Sequence, residues 1–223
     1  MAYHGEDGRS CYTFCMCPGG YVMASSSEEG TIVTNGMSYY DRSGENANSA
    51  LLVNVNPDDY MALYDDSNNP LNGMYFQKSL EQKAFEMAGG NYNAPAQNVE
   101  DYIKEDGKPL IPNDESNNQV LVPTYKPGIT YCDLNELFPD YINKTLKEGI
   151  KYFGAKLKGF DNNAVLTAIE SRSSSPVRII RGEEMNSSII GLHPCGEGAG
   201  YAGGIMTSAI DGIKVTKAII SKC

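Results

Sequence analysis

The C-terminal stretch GLHPCGEGAGYAGGI, residues 191–205, limits the fold of this chain more sharply than any other segment. Within it Gly198-Ala199-Gly200-Tyr201-Ala202-Gly203 matches G-x-G-x-x-G, the pattern of a dinucleotide-binding turn. That fingerprint needs a strand before it, a helix after it, and a second strand with an acid at its tip about 20 residues further on. Only 20 residues follow Gly203, the last acid among them is Asp211, and nothing after the helix can form that second strand. The loop is therefore expected to do something other than clasp a pyrophosphate. Glycines at 196, 198, 200, 203 and 204 let backbone approach a ligand closely, and a helix starting near Gly203 offers unpaired N–H groups at its positive end. Glu197 would repel a pyrophosphate but can accept hydrogen bonds from a sugar or sugar-alcohol hydroxyl. A structural alternative stays open: glycine-rich turns also serve to pack a helix tightly on a strand.

The composition narrows the partners. With 41% hydrophobic and 21% charged residues over 223 positions, the chain has ordinary globular texture and enough length for one domain or two small ones. A net charge of -10 disfavours nucleic acid and anionic membrane surfaces, both of which are bound through Lys and Arg. No apolar run reaches the roughly 18 residues of a membrane span, and MAYHGEDG lacks the basic and apolar regions of a secretory signal. A cytoplasmic location is expected. The cysteines agree, since Cys15 and Cys17 are too close for an ordinary disulfide and Cys11, Cys132, Cys195 and Cys223 are scattered. With two histidines, His4 and His193, and no C-x-x-C, no metal site is expected.

The patterning predicts short strands at Ser10 to Cys15, Gly20 to Ala24, Thr31 to Gly36 and Ser49 to Val55, joined by Gly- and Ser-bearing turns. Met74 to Ala88 has helical spacing and Gly89-Gly90 to end it. Lys104 to Gln119 reads as a polar excursion. From Asp133 a helical region opens, with Asp133 as N-cap; Pro139 either kinks it or starts a second helix after a short turn. Ala164 to Ile169 and Ile189 to His193 read as strands, and Ile205 to Ile220 as a helix. Strand, glycine loop and helix would be the end of an α/β unit. The first residues form a polar scrap with no visible start to a domain, as if the chain were cut from something longer.

Two further clusters are candidates for chemistry. Cys15-Met16-Cys17-Pro18-Gly19-Gly20 could supply reactive thiols, Cys15 and Cys17, near exposed N–H groups. Strand alternation alternatively places the two cysteines on one face as small packing residues. Ser173-Ser174-Ser175-Pro176 with Arg172 and Arg178 could present hydroxyls and a guanidinium to an anionic ligand, or form a plain polar connection between two strands with the arginines in solvent. Asn35, Gly36, Asn46 and Asn48 could contact substrate or shape turns.

The segments FCMCPGGYV, VTNGMSYYDRSGENANSALLV, AFEMAGGNYNAP, ESRSSSPVRI and GLHPCGEGAGYAGGIMTSAIDGIKV, in this order, resemble the C-terminal half of a family of uncharacterised bacterial FAD-dependent dehydrogenases of the two-dinucleotide-binding flavoprotein superfamily. The resemblance implies an α/β fold with an α+β insertion: a cap, or substrate, domain of mixed strands and helices over 1–158, then over 159–223 the C-terminal strand–loop–helix segment of an incomplete Rossmann-like FAD domain. It implies an FAD-dependent oxidoreductase acting on a small molecule, with Gly196, Glu197, Gly198, Gly200, Tyr201, Ala202, Gly203 and Gly204 on the ribityl chain and flavin. Arg172, Ser174 and Ser175 would face the ligand, and Cys15 and Cys17 would lie near it. The N-terminal FAD-binding half, with its pyrophosphate fingerprint, would be the missing partner. The competing expectation is a non-enzymatic binding or interaction module that does not hold FAD alone.

Overall fold

The computed structural model describes residues 1–104 and 121–221; the polar stretch expected at 104–119 and Cys223 lie almost wholly outside these. In chain order the strands are β1 (Ala2–His4), β2 (Ser10–Cys17), β3 (Gly20–Ala24), β4 (Thr34–Ser38), β5 (Asn48–Val53), β6 (Ala94–Asn98), β7 (Ile129–Tyr131) and β8 (Val165–Thr167). The helices are α1 (Pro57–Tyr60), α2 (Asn72–Met87), α3 (Val99–Ile103), α4 (Asp140–Lys156) and α5 (Ile205–Ile220). The chain divides into two compact units. The first comprises Met1–Val55 and Lys78–Ser171, the second Asn56–Gln77 and the chain from Arg172 onward.

Unit 1 holds three small sheets. β2 pairs antiparallel with β1 on one side and β5 on the other. β3 and β4 form an antiparallel pair, and β6 runs parallel to β7 and antiparallel to β8. The opening residues, read from the sequence as a polar scrap, form β1: alternation in Ala2, Tyr3 and His4 is enough once Tyr12 to Ser10 stand opposite. β4 begins three residues later than the sequence pattern predicts, because the Ile32 N–H leaves the ladder for the Glu81 carbonyl at 3.1 Å and the Val33 N–H for Ser26 Oγ at 2.8 Å.

The core forms where α4 lies against β1, β2 and β5. Asp133 caps a single 3-10 turn, its Oδ1 accepting from the Asn135 N–H at 2.9 Å, and α4 then starts afresh behind Pro139. Of the two outcomes open for Pro139, the structure takes the turn followed by a second helix. Leu134, Leu137, Ile142, Leu146, Ile150 and Phe153 are all buried on the inner side, each contributing about 1.5–3 kcal/mol of apolar transfer. Gly149 lets α4 come close: an added Cβ would stand 2.7 Å from both Cβ and Sγ of Cys11 on β2. The Cys11 thiol, sealed in this contact, is pushed up to about 12 by burial and is chemically inert.

In unit 2, α5 matches its predicted span. The strand expected at Ile189 to His193 does not form. Gly191 takes φ 80°, the Leu192 N–H bonds back to the Ile189 carbonyl and the Ser187 N–H to the Leu192 carbonyl, so the apolar run closes into a turn with Ile190 fully exposed. The glycine loop consequently has no strand directly before it, and the Rossmann-like strand–loop–helix pattern is absent there. No described helix is long and apolar enough to cross a membrane.

Candidate functional site

The glycine loop of unit 2 is a closed turn. The Gly200 N–H donates to the Glu197 carbonyl at 2.9 Å and the Tyr201 N–H to the Gly196 carbonyl at 3.0 Å, with Gly196 and Gly200 at φ 73° and 80°. That left-handed backbone is where glycine costs least. The loop lies close along residues 177–181: the Ile179 N–H donates to the Ala199 carbonyl at 3.2 Å, and a Cβ on Gly200 would stand 2.8 Å from the Val177 carbonyl oxygen. Gly200 thus permits a close approach of backbone to backbone, whereas a Cβ on Gly196 would meet only Ser208 Cβ at 4.0 Å and glycine there answers to the left-handed φ. Gly198 and Gly203 differ. A Cβ on either meets nothing within 4 Å, so their backbone faces open space.

An ion pair fixes this loop to α5. Arg181 donates to both carboxylate oxygens of Asp211, at 2.9 and 2.6 Å, and to the Pro194 carbonyl at 2.8 Å. Its guanidinium lies 3.7 Å from the centre of the Tyr201 ring, and the Tyr201 hydroxyl accepts from the Arg181 N–H and donates to the Ile179 carbonyl, each at 3.1 Å. Asp211 also accepts the Gly196 N–H at 2.9 Å. The Arg181 guanidinium, helped by that N–H, holds the Asp211 carboxyl down at about 2. Arg178 supports the same turn, donating from Nε to the Gly200 carbonyl at 2.9 Å. Sequence reading passed over Arg181 and noted Asp211 only as the wrong acid for a dinucleotide. The signal for Asp211 was there: one acid within the apolar sequence IMTSAIDGI.

Three features of the loop remain open to a ligand. The Glu197 side chain is half-buried and has no hydrogen bond or ion pair among the described residues. The α5 N-terminus, with Gly204 as N-cap, has no side-chain cap. Gly198 and Gly203 leave room beside it. Tyr201 is committed to the arginines, and Ala202 is half-buried next to the helix start. Ser175 is spent locally, its hydroxyl donating to the Val177 carbonyl at 2.7 Å, while Ser174 and Arg172 are exposed. This donor set suits a hydroxylated chain at Glu197 and an electron-rich edge at the helix start. It does not suit a diphosphate beside the Glu197 carboxylate.

In unit 1 the two candidate thiols do not share a face. The β2–β5 register shifts between Phe14 and Cys17, and Cys15 sits in this bulge at φ 44°, exposed, whereas Cys17 is half-buried and its thiol donates to the Cys15 carbonyl at 3.2 Å. The extra residue breaks the alternation that predicted common packing. The neighbouring asparagines shape backbone: Asn46 donates to the Val122 carbonyl at 2.8 Å, and Asn48 donates to the Tyr21 carbonyl at 3.2 Å. An added Cβ on Gly20 or on Gly36 would collide with the Asn48 amide. A carboxyl absent from the sequence candidates is Glu170, half-buried at the end of unit 1 and pushed up to about 7 by desolvation. Among the described residues no cluster of His, Cys, Asp and Glu could hold a metal ion.

Residues 1–173 match the family model described as "FAD-dependent protein, C-terminal domain-like", and the chain belongs to that family. It is also 47% identical, over 225 aligned residues and all of its own length, to an "Uncharacterized protein" of Clostridium beijerinckii (strain ATCC 51743 / NCIMB 8052). The chain spans 40% of the length of that relative. The family match ends before the glycine loop; the relative's alignment includes it.

Proposed function

We propose that this chain is the C-terminal portion of an FAD-dependent oxidoreductase, a dehydrogenase of the two-dinucleotide-binding flavoprotein superfamily acting on a small molecule. In this reading residues 1–158 are the cap, or substrate, domain and 159–223 the returning piece of the FAD domain, with β8 sharing its sheet with cap strands. An N-terminal FAD-binding half is the partner that supplies the pyrophosphate site. The observation that carries the proposal is the pairing of an unengaged Glu197 carboxylate with an uncapped α5 N-terminus in a member of an FAD-dependent family.

The flavin, when bound, supplies hydride and electron transfer; the protein supplies placement and electrostatics. Glu197 accepts hydrogen bonds from ribityl hydroxyls, and the N–H groups at Gly203, Gly204 and the first turn of α5 face the electron-rich ring edge. Arg181 and Asp211 hold the loop in the conformation that exposes these groups. Arg172 and Ser174 line the approach, and Cys15 and Cys17 are the candidate reactive groups of the cap.

The second reading is a binding or interaction module that does not hold FAD alone. Purification of the chain, followed by addition of FAD and measurement of flavin absorbance and fluorescence, separates the two. Uptake of FAD weakened about tenfold by Glu197→Gln, with an unchanged folded state, supports the ribityl role. Equal uptake by both proteins rejects that role, and a colourless chain that takes up no added FAD favours the module.

A further inference from the structure

A hollow of about 430 Å³ in unit 1 is lined by the loop after β3 and by Tyr92, Tyr125 and Pro127. It lies apart in sequence from the glycine loop and from every residue assigned above to the flavin. Its size is in the range of small-molecule sites. We propose that this hollow binds a neutral polyhydroxylated molecule of about monosaccharide size.

The argument starts with hydroxyl protons. Tyr125 is only 3% exposed, yet its hydroxyl has no hydrogen-bond partner among the described residues. Tyr125 lines the hollow, and its hydroxyl proton is left for solvent or for a ligand oxygen there. Tyr92 accepts the Gly30 N–H on its hydroxyl oxygen at 3.3 Å, and Ser26 Oγ accepts the Val33 N–H at 2.8 Å. In both, the oxygen is engaged by backbone, and the proton has no acceptor among the described residues. Three hydroxyls thus present donors to one space.

The rim supplies the complement. Glu28 is held by Lys78 through an ion pair of 2.5 Å, while the Glu29 carboxylate has no partner among the described residues. A carboxylate here rejects an anionic ligand; an ammonium would satisfy Glu29 but leave the three hydroxyl protons without an acceptor. A polyol answers both: its oxygens accept from the Tyr and Ser hydroxyls and its own hydroxyls donate to Glu29. The frame is preset. Phe85 contacts the Tyr92 ring at 4.9 Å between centroids, and the Ser25 N–H bonds the Val33 carbonyl at 2.8 Å, tying the loop's ends together.

The test is isothermal titration of the full chain with D-glucose, myo-inositol and xylitol, beside choline and inorganic phosphate. Saturable binding of at least one polyol, weakened fivefold or more by Tyr125→Phe and also by the more exposed Tyr92→Phe with unchanged thermal midpoints, is the expected result. Tyr92→Phe keeps the test decisive if Tyr125→Phe fails to fold. Absence of polyol binding, preference for choline or phosphate, or polyol binding indifferent to the variants that fold would overturn the proposal. None of these outcomes depends on flavin uptake.

Discussion

Arg181 and Asp211 meet through two hydrogen bonds, and Asp211 uses the same carboxylate to hold the Gly196 N–H. Both side chains are about nine-tenths buried. Replacing Asp211 by Asn leaves a buried guanidinium without its counter-charge, so Asp211→Asn should lower the stability of unit 2 by about 2–3 kcal/mol in chemical denaturation at pH 7. The folded carboxyl titrates near 2, below its unfolded value of 3.8. Its contribution is therefore complete above about pH 4 and disappears as pH falls through 2. The gap between the two proteins should be widest above pH 4 and close on acidification; a gap independent of pH would refute the ion pair's role.

Glu170 works in the opposite direction. Its folded value near 7 lies above the usual 4.5, so the folded state keeps a proton that the unfolded chain has released between those two values. Stability relative to Glu170→Gln is preserved below pH 4.5 and falls as pH rises through 7. The glutamine variant should be the more stable protein by about 2 kcal/mol at pH 8, with convergence at pH 4. Thermal midpoints across this range provide the measurement.

The glycines of the loop should divide by mutation. Gly200→Ala meets both a left-handed backbone and the Val177 carbonyl, and should cost about 2 kcal/mol. Gly198→Ala, with nothing within 4 Å, should change stability by less than about 0.5 kcal/mol. Parallel urea titrations decide the matter; equal costs at the two positions would show that packing does not distinguish them.

On α4, Gly149→Ala gains roughly 1 kcal/mol of helix propensity but drives a methyl into Cys11, where overpacking costs about 1–3 kcal/mol. The clash is with atoms fixed close to the backbone, so the net effect should be destabilising by about 1 kcal/mol. Adding Cys11→Ala to Gly149→Ala removes the sulfur from the clash, and the double variant should lose less than the sum of the singles.

Much of the fold was legible where its causes are local. The α5 span, the Gly89-Gly90 stop after α2, and the break at Pro139 follow from periodicity, left-handed glycine and a missing N–H, all confined to a few neighbouring residues. What failed depended on distant partners. β1 exists because β2 offers it an edge, and the Cys15 bulge is set by pairing with β5, some thirty-five residues away. Ile189 to His193 has strand composition, but Gly191 turns the chain back on itself. At the candidate site the sequence singled out Glu197 and the glycines, which the structure places in one closed turn. It could not show that Arg181 reaches across thirty residues to Asp211, because an ion pair between separated segments leaves no periodic trace.

Asn48 occupies the space that side chains at both 20 and 36 would otherwise fill. Positions 36 and 48 therefore behave as a single inherited character: a methyl gained at 36 is tolerable only if the amide opposite shrinks, whereas at 20 the Met37 and Cys17 carbonyl oxygens, 2.8 and 2.9 Å from an added Cβ, bar a side chain whatever stands at 48. Across descendants of a common ancestor, 36 and 48 should change together, and 20 should stay glycine.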